Sequence, residues 1–99
     1  RTKVTFPDGE LYIKALTAME QEEFESAILD GKGKAKTDVS LKAIMVIMSA
    51  EDEAGSKVFT MEDLKTLGEM PAADINKMFN EAQKLNNISD ADIEELTKN

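Results

Sequence analysis

The side chains that could do chemistry in this chain are carboxylates, lysines and hydroxyls, because its 99 residues include no histidine and no cysteine. That removes Ser/His/Asp and Cys/His nucleophile arrangements, thiolate chemistry, disulfides and Cys/His zinc sites together. Paired carboxylates remain, but with no tryptophan and 5% aromatic residues the chain has poor material for a sugar-binding cleft. Two stretches come closest to a ligand site. Gly31-Lys32-Gly33-Lys34 has the composition of a phosphate loop but lacks the GxxxxGK[ST] spacing, and it follows a helix where such a loop follows a strand. It reads as a linker. The acidic stretch Glu51 to Lys57 precedes a helix and invites a calcium reading. With Glu62 as the last ligand of an EF-hand loop, however, Gly55 falls in the fifth position and Ser56 where the sharp turn needs glycine. Starting at Asp52 puts Ala54 in a ligand slot, so the stretch reads as a solvated turn and helix cap. No catalytic residue, metal ligand or cofactor is assigned, and the expectation is a protein that binds other proteins and is not an enzyme.

Charge narrows the partners. Twenty acidic against 12 basic residues give a formal net charge of -8, which repels a phosphate backbone and an anionic membrane surface. Neither nucleic acid nor membrane is an expected partner. The longest apolar run, Ala43 to Met48, falls far short of the roughly 20 residues of a membrane span. Without cysteines or a secretory apolar segment the chain reads as intracellular, and Arg1 at its start suggests a processed or trimmed N-terminus. The six methionines are either core fillers at helical spacing or an adaptable surface for a varied client.

The elements that would position these residues read as one domain: a β-hairpin over 1–16, a helix over 17–30, a Gly/Lys loop over 31–37 and a helical part over 38–99. The fold class expected is mainly α, an N-terminal β-hairpin followed by about five short helices. Lys3 to Phe6 and Leu11 to Lys14 alternate on either side of Pro7-Asp8-Gly9, with Gly9 expected in the left-handed turn position. Thr17-Ala18-Met19-Glu20 is a capping box opening a helix to about Leu29, with Phe24, Ala27 and Ile28 as its apolar stripe. Thr60 caps a short helix that Gly68 ends, with Asp63 at its third position and Phe59 able to staple to Leu64. Pro71 suits the first turn of the next helix, whose stripe is Ile75, Met78, Phe79, Ala82 and Leu85; Asn86 and Asn87 stop it. A last helix follows the Ser89 cap to about Lys98.

Val39 to Ala50 is the unusual stretch. Wound as a helix after the cap candidates Thr37 and Asp38, it puts Leu41, Ile44, Met45 and Met48 on one face. Val39, Ala43, Val46, Ile47 and Ala50 take the other, leaving a polar strip around Lys42 and Ser49. A buried strand is the competing reading, and the caps and the absence of nearby Gly or Pro favour helix. A helix with two apolar faces is either sandwiched in the core or buries one face against another subunit. Leu41, Ile44, Met45, Val46, Ile47 and Met48 are accordingly the candidate partner or self-association surface.

In order and spacing these pieces resemble the tail assembly chaperones of long, non-contractile-tailed bacteriophages. The matching stretches are Val4 to Glu10 with Ala15-Leu16-Thr17, Asp52 to Gly55 with Val58 to Asp63, and Leu67-Gly68-Glu69. Met78-Phe79, Ala82 to Asn86, Ile88-Ser89 and Glu94 to Asn99 continue the likeness over almost the whole chain. Each stretch is generic alone; their order carries the resemblance. Met70-Pro71 departs from it, standing where a small hydroxyl cap is expected. The resemblance implies a non-structural protein of the infected host cytoplasm that binds the tape measure protein and keeps it soluble. It also implies help in recruiting tail tube protein, through a longer frameshifted form, self-association into a homo-oligomer along the client, and absence from the mature virion. The alternative from another class is a small acidic protein-binding regulator or inhibitor of a basic site.

Overall fold

A computed structural model describes residues 1–7, 9–29, 31–32 and 40–86. Two strands, β1 (Thr2–Phe6) and β2 (Gly9–Ile13), pair antiparallel from Thr2 opposite Ile13 to Phe6 opposite Gly9. Pairing with Phe6 makes Gly9 the first residue of β2, so the connection is shorter than the sequence suggested and Gly9 belongs to the ladder. Period-2 alternation sets the faces. Val4, Leu11 and Ile13 point into the core, while Lys3, Glu10 and Tyr12 share the other side.

Four α-helices follow among the described residues: α1 (Ala18–Ile28), α2 (Leu41–Ser49), α3 (Leu64–Gly68) and α4 (Ala72–Leu85). The fifth expected helix, the cap candidates Thr37 and Asp38, and most of the Gly/Lys loop lie outside them. The capping box of α1 is formed as expected, Thr17 Oγ1 accepting from the Glu20 N–H at 3.1 Å and Glu20 from the Thr17 N–H at 3.0 Å. A second box, with Thr60 accepting from Glu62 and Asp63 accepting from Thr60, opens the 3₁₀ turn Met61–Asp63 that leads into α3. Pro71 stands one position earlier than expected, at the cap of α4, and Asn86 caps its other end by donating to the Ala82 carbonyl at 2.8 Å.

The helix reading of the Val39 stretch holds over Leu41–Ser49, with Ser40 as the cap, its hydroxyl accepting from the Ala43 N–H at 3.2 Å. The chain does not stay helical through Ala50. Ala50 and Glu51 form a short third strand, β3, which pairs antiparallel with Ile13 and Tyr12 and gives the sheet order β1-β2-β3. This strand was hidden in the sequence because a two-residue pairing has no periodicity to display. The chain then turns back: Lys57 bridges to Glu51, and Asp52 accepts from the Ser56 N–H at 2.9 Å through its carboxylate. Gly55 makes the reversal with φ +89°, a left-handed conformation that only glycine adopts without strain.

Helix α2 is the hub, packing against α1, α3 and α4. Ala43, Ile44, Met45 and Val46 are all but fully enclosed, joined in the core by Phe24 and Ile28 of α1, Leu67 of α3, and Ile75, Met78, Phe79 and Ala82 of α4. Ser49, expected on a polar strip, is buried; its hydroxyl donates to the Met45 carbonyl at 2.6 Å, satisfying it within the helix. No described helix is long and apolar enough to cross a membrane.

Candidate functional site

The six residues singled out for partner contact divide once placed. Ile44, Met45 and Val46 are fully buried and Ile47 is nearly so, whereas Leu41 and Met48 are half-buried against the same core. For the inner four the packing follows the core alternative of the two that the sequence leaves open: α2 is sandwiched between the other helices, and both of its apolar faces are used within the chain. A side chain already enclosed by its own fold has no area left to offer a partner.

The apolar surface that does remain open lies elsewhere. A groove of about 250 Å³ runs between the hairpin tip and the start of α4, lined by Phe6, Pro7, Gly9, Glu10, Leu11, Phe59, Met70, Asp74 and Met78. Four parts of the sequence build it: the hairpin, the segment before α3, the α3–α4 junction and α4 itself. Phe6, Phe59 and Met70 are half-buried against the core, so each presents one side to the groove. The Lys77 ammonium lies 4.9 Å from the centre of the Phe6 ring and also donates to the Thr5 carbonyl, which ties α4 to β1 at this edge. Glu10 pairs with Lys3 at 3.4 Å. Asp74, in the first turn of α4, has no ion pair or side-chain hydrogen bond among the described residues. Single exposed apolar side chains, Met19, Val58 and Met61, stand outside this groove.

No family model, curated protein or solved structure matches the chain.

The charged groups form structural clasps. Glu20 takes the Lys14 ammonium at 2.5 Å and the Lys57 ammonium at 3.1 Å, joining the end of β2, the start of α1 and the turn after β3. Its burial acts most strongly and would raise its pKa, but the Lys14 contact, the Thr17 N–H and Lys57 together outweigh it and hold the carboxyl down at about 2. Lys57 also donates to the Met48 carbonyl at 2.5 Å, placing a cation at the C-terminal end of α2 where the helix dipole favours it. On the far face of the sheet the Arg1 guanidinium lies 4.2 Å from the Tyr12 ring centre, pairs with Glu51 at 3.0 Å and donates to the Glu53 carbonyl at 2.9 Å. Arg1 thus occupies part of the acidic stretch Glu51 to Lys57. Among the described residues, no group of three or more acidic side chains is placed to hold a metal ion.

Sequence reading missed the groove. Met78 belongs to the core stripe as expected and forms the groove floor, whereas Phe59 is half-buried and nothing in the local pattern marks its open side. Met70, next to Pro71 at the α3–α4 junction, puts a flexible apolar side chain at the groove wall.

Proposed function

We propose that the protein is a tail assembly chaperone that binds the tape measure protein of a phage tail and keeps it soluble in the host cytoplasm. The family-like order of hairpin, caps and helices along the sequence carries this reading. The open groove lined by Phe6, Phe59 and Met70 supports it, since a client-binding protein needs apolar surface outside its own core. In this role many copies cover apolar helical stretches of the client by mass action, self-associate along it, and are displaced as tail tube protein assembles. A longer frameshifted form would bring the tube protein, and the chaperone would be absent from the mature virion.

The test is co-expression with a tape measure protein followed by affinity capture. Recovery of a complex that persists at about 0.5 M salt, where the Debye length is well below 10 Å, supports apolar client binding. Failure to recover any complex would count against the reading. A complex lost at moderate salt, with a basic protein as the partner, would favour the acidic-regulator alternative, whose support is the net charge of -8.

A further inference from the structure

The geometry points to the groove between the hairpin tip and α4 as a docking site for an apolar segment that carries a lysine or arginine, with Asp74 receiving the cation. The inference rests on the chaperone reading for its biological client, but its chemistry stands on the groove itself.

The half-buried Phe6, Phe59 and Met70 supply apolar contact above a floor of the buried Leu11 and Met78, and a methionine beside two phenylalanines adapts to differently shaped side chains. Asp74 is half-buried in this apolar setting and has no cationic partner among the described residues. The neighbouring cations are engaged: Lys3 pairs with Glu10, and Lys77 sits on the Phe6 ring and the Thr5 carbonyl. A carboxylate at an apolar groove gains most from an incoming guanidinium or ammonium, which forms a charge-assisted bond in a partly desolvated place. The overall charge selects the same occupant. A second copy would bring another -8 and place acid against acid, whereas a basic amphipathic segment is attracted over long range and matched at the contact.

The experiment uses three synthetic peptides of about 18 residues, five helical turns, one built from Leu and Lys, one from Leu and Glu in the same pattern, and one from Lys and Ser. Titration by fluorescence anisotropy, with methyl NMR of the methionines, reads affinity and location. The expected result is binding of the Leu/Lys peptide with shifts at Met70 and Met78, and much weaker binding of the other two. Asp74→Lys should weaken the Leu/Lys peptide by about tenfold or more and improve the Leu/Glu peptide, the loss of one charge-assisted contact and its reversal. Glu23→Lys, an exposed acid on α1 outside the groove, makes the same change in net charge and should leave the order of affinities unchanged. Melting curves of both variants establish that they are folded. Equal binding of the Lys/Ser peptide, equal effects of Asp74→Lys and Glu23→Lys, or shifts confined to methionines outside the groove would each overturn the proposal. If Asp74→Lys still captures a tape measure protein as well as the unmodified chain does, the groove is excluded and the chaperone reading stands. If the unmodified chain captures none while the peptide results hold, the opposite conclusion follows.

Discussion

Glu20 is the side chain whose replacement separates electrostatics from packing most cleanly. Its carboxylate closes the α1 capping box and holds Lys14 and Lys57 together, and its pKa of about 2 lies below the ordinary 4.5. Because the folded state lowers this pKa, the stabilisation is fully present above about pH 4.5 and fades as pH falls toward 2. Glu20→Gln should lower stability at neutral pH by about 1.5–3 kcal/mol, the range for hydrogen bonds to a charged group, and flatten the acid side of the profile. Urea denaturation at several pH values measures both effects; a parallel loss at every pH would mean that the carboxylate charge contributes nothing. Gly55 offers a second test at this scale. Its φ of +89° is strained for any side chain, so Gly55→Ala should cost about 1–2 kcal/mol although there is ample space for a methyl group. Sequence made these two residues unequally legible. Thr17 and Glu20 stand three apart before an apolar stripe, so the capping box could be read directly, but Lys14 and Lys57 come from different elements and no spacing announces them. Gly55 was visible only as a glycine in an acidic stretch, because the reversal it makes depends on the pairing of Glu51 with Lys57.

At the scale of elements, α2 decides whether the domain folds. Met45 is enclosed by neighbouring helices, so Met45→Ala should cost about 2–5 kcal/mol by removing core contacts and leaving a cavity. Met45→Glu should unfold the protein, since an unpaired charge there has no partner and no water. Thermal melts of the two variants check this; a folded, more monomeric Met45→Glu protein would return the residue to an intersubunit face. The apolar period identified α2 as a helix and its two faces as alternatives, but the choice between core and contact needed the other helices in place. Its C-terminal boundary was missed for a different reason. Ala50 is a good helix former, and only its pairing with Ile13, far away in sequence, draws it into the sheet. Pairing also explains the hairpin, where alternation revealed both strands while the register placed Gly9 in the ladder.

For the whole molecule, the proposed client binding depends on apolar surface left after the core is complete. With α2 enclosed, the proposed self-association along a client would use other surface, such as the exposed Met19, Val58 and Met61. Copies of charge -8 repel at low ionic strength, so sedimentation at increasing protein concentration should reveal association that strengthens as salt rises. A constant monomer mass in high salt would remove self-association from the account. The groove escaped sequence analysis because it belongs to no element: the hairpin tip, Phe59, Met70 and α4 each contribute one wall, and only the fold brings them together. The central claim, that this chain shields apolar surface on another protein, is tested most directly by light scattering as a tape measure protein is diluted from denaturant. With the chain present at equal or greater molar ratio, scattering should fall in proportion to the amount added and the client should remain soluble. Scattering no lower than with an unrelated acidic protein at the same concentration would contradict the account.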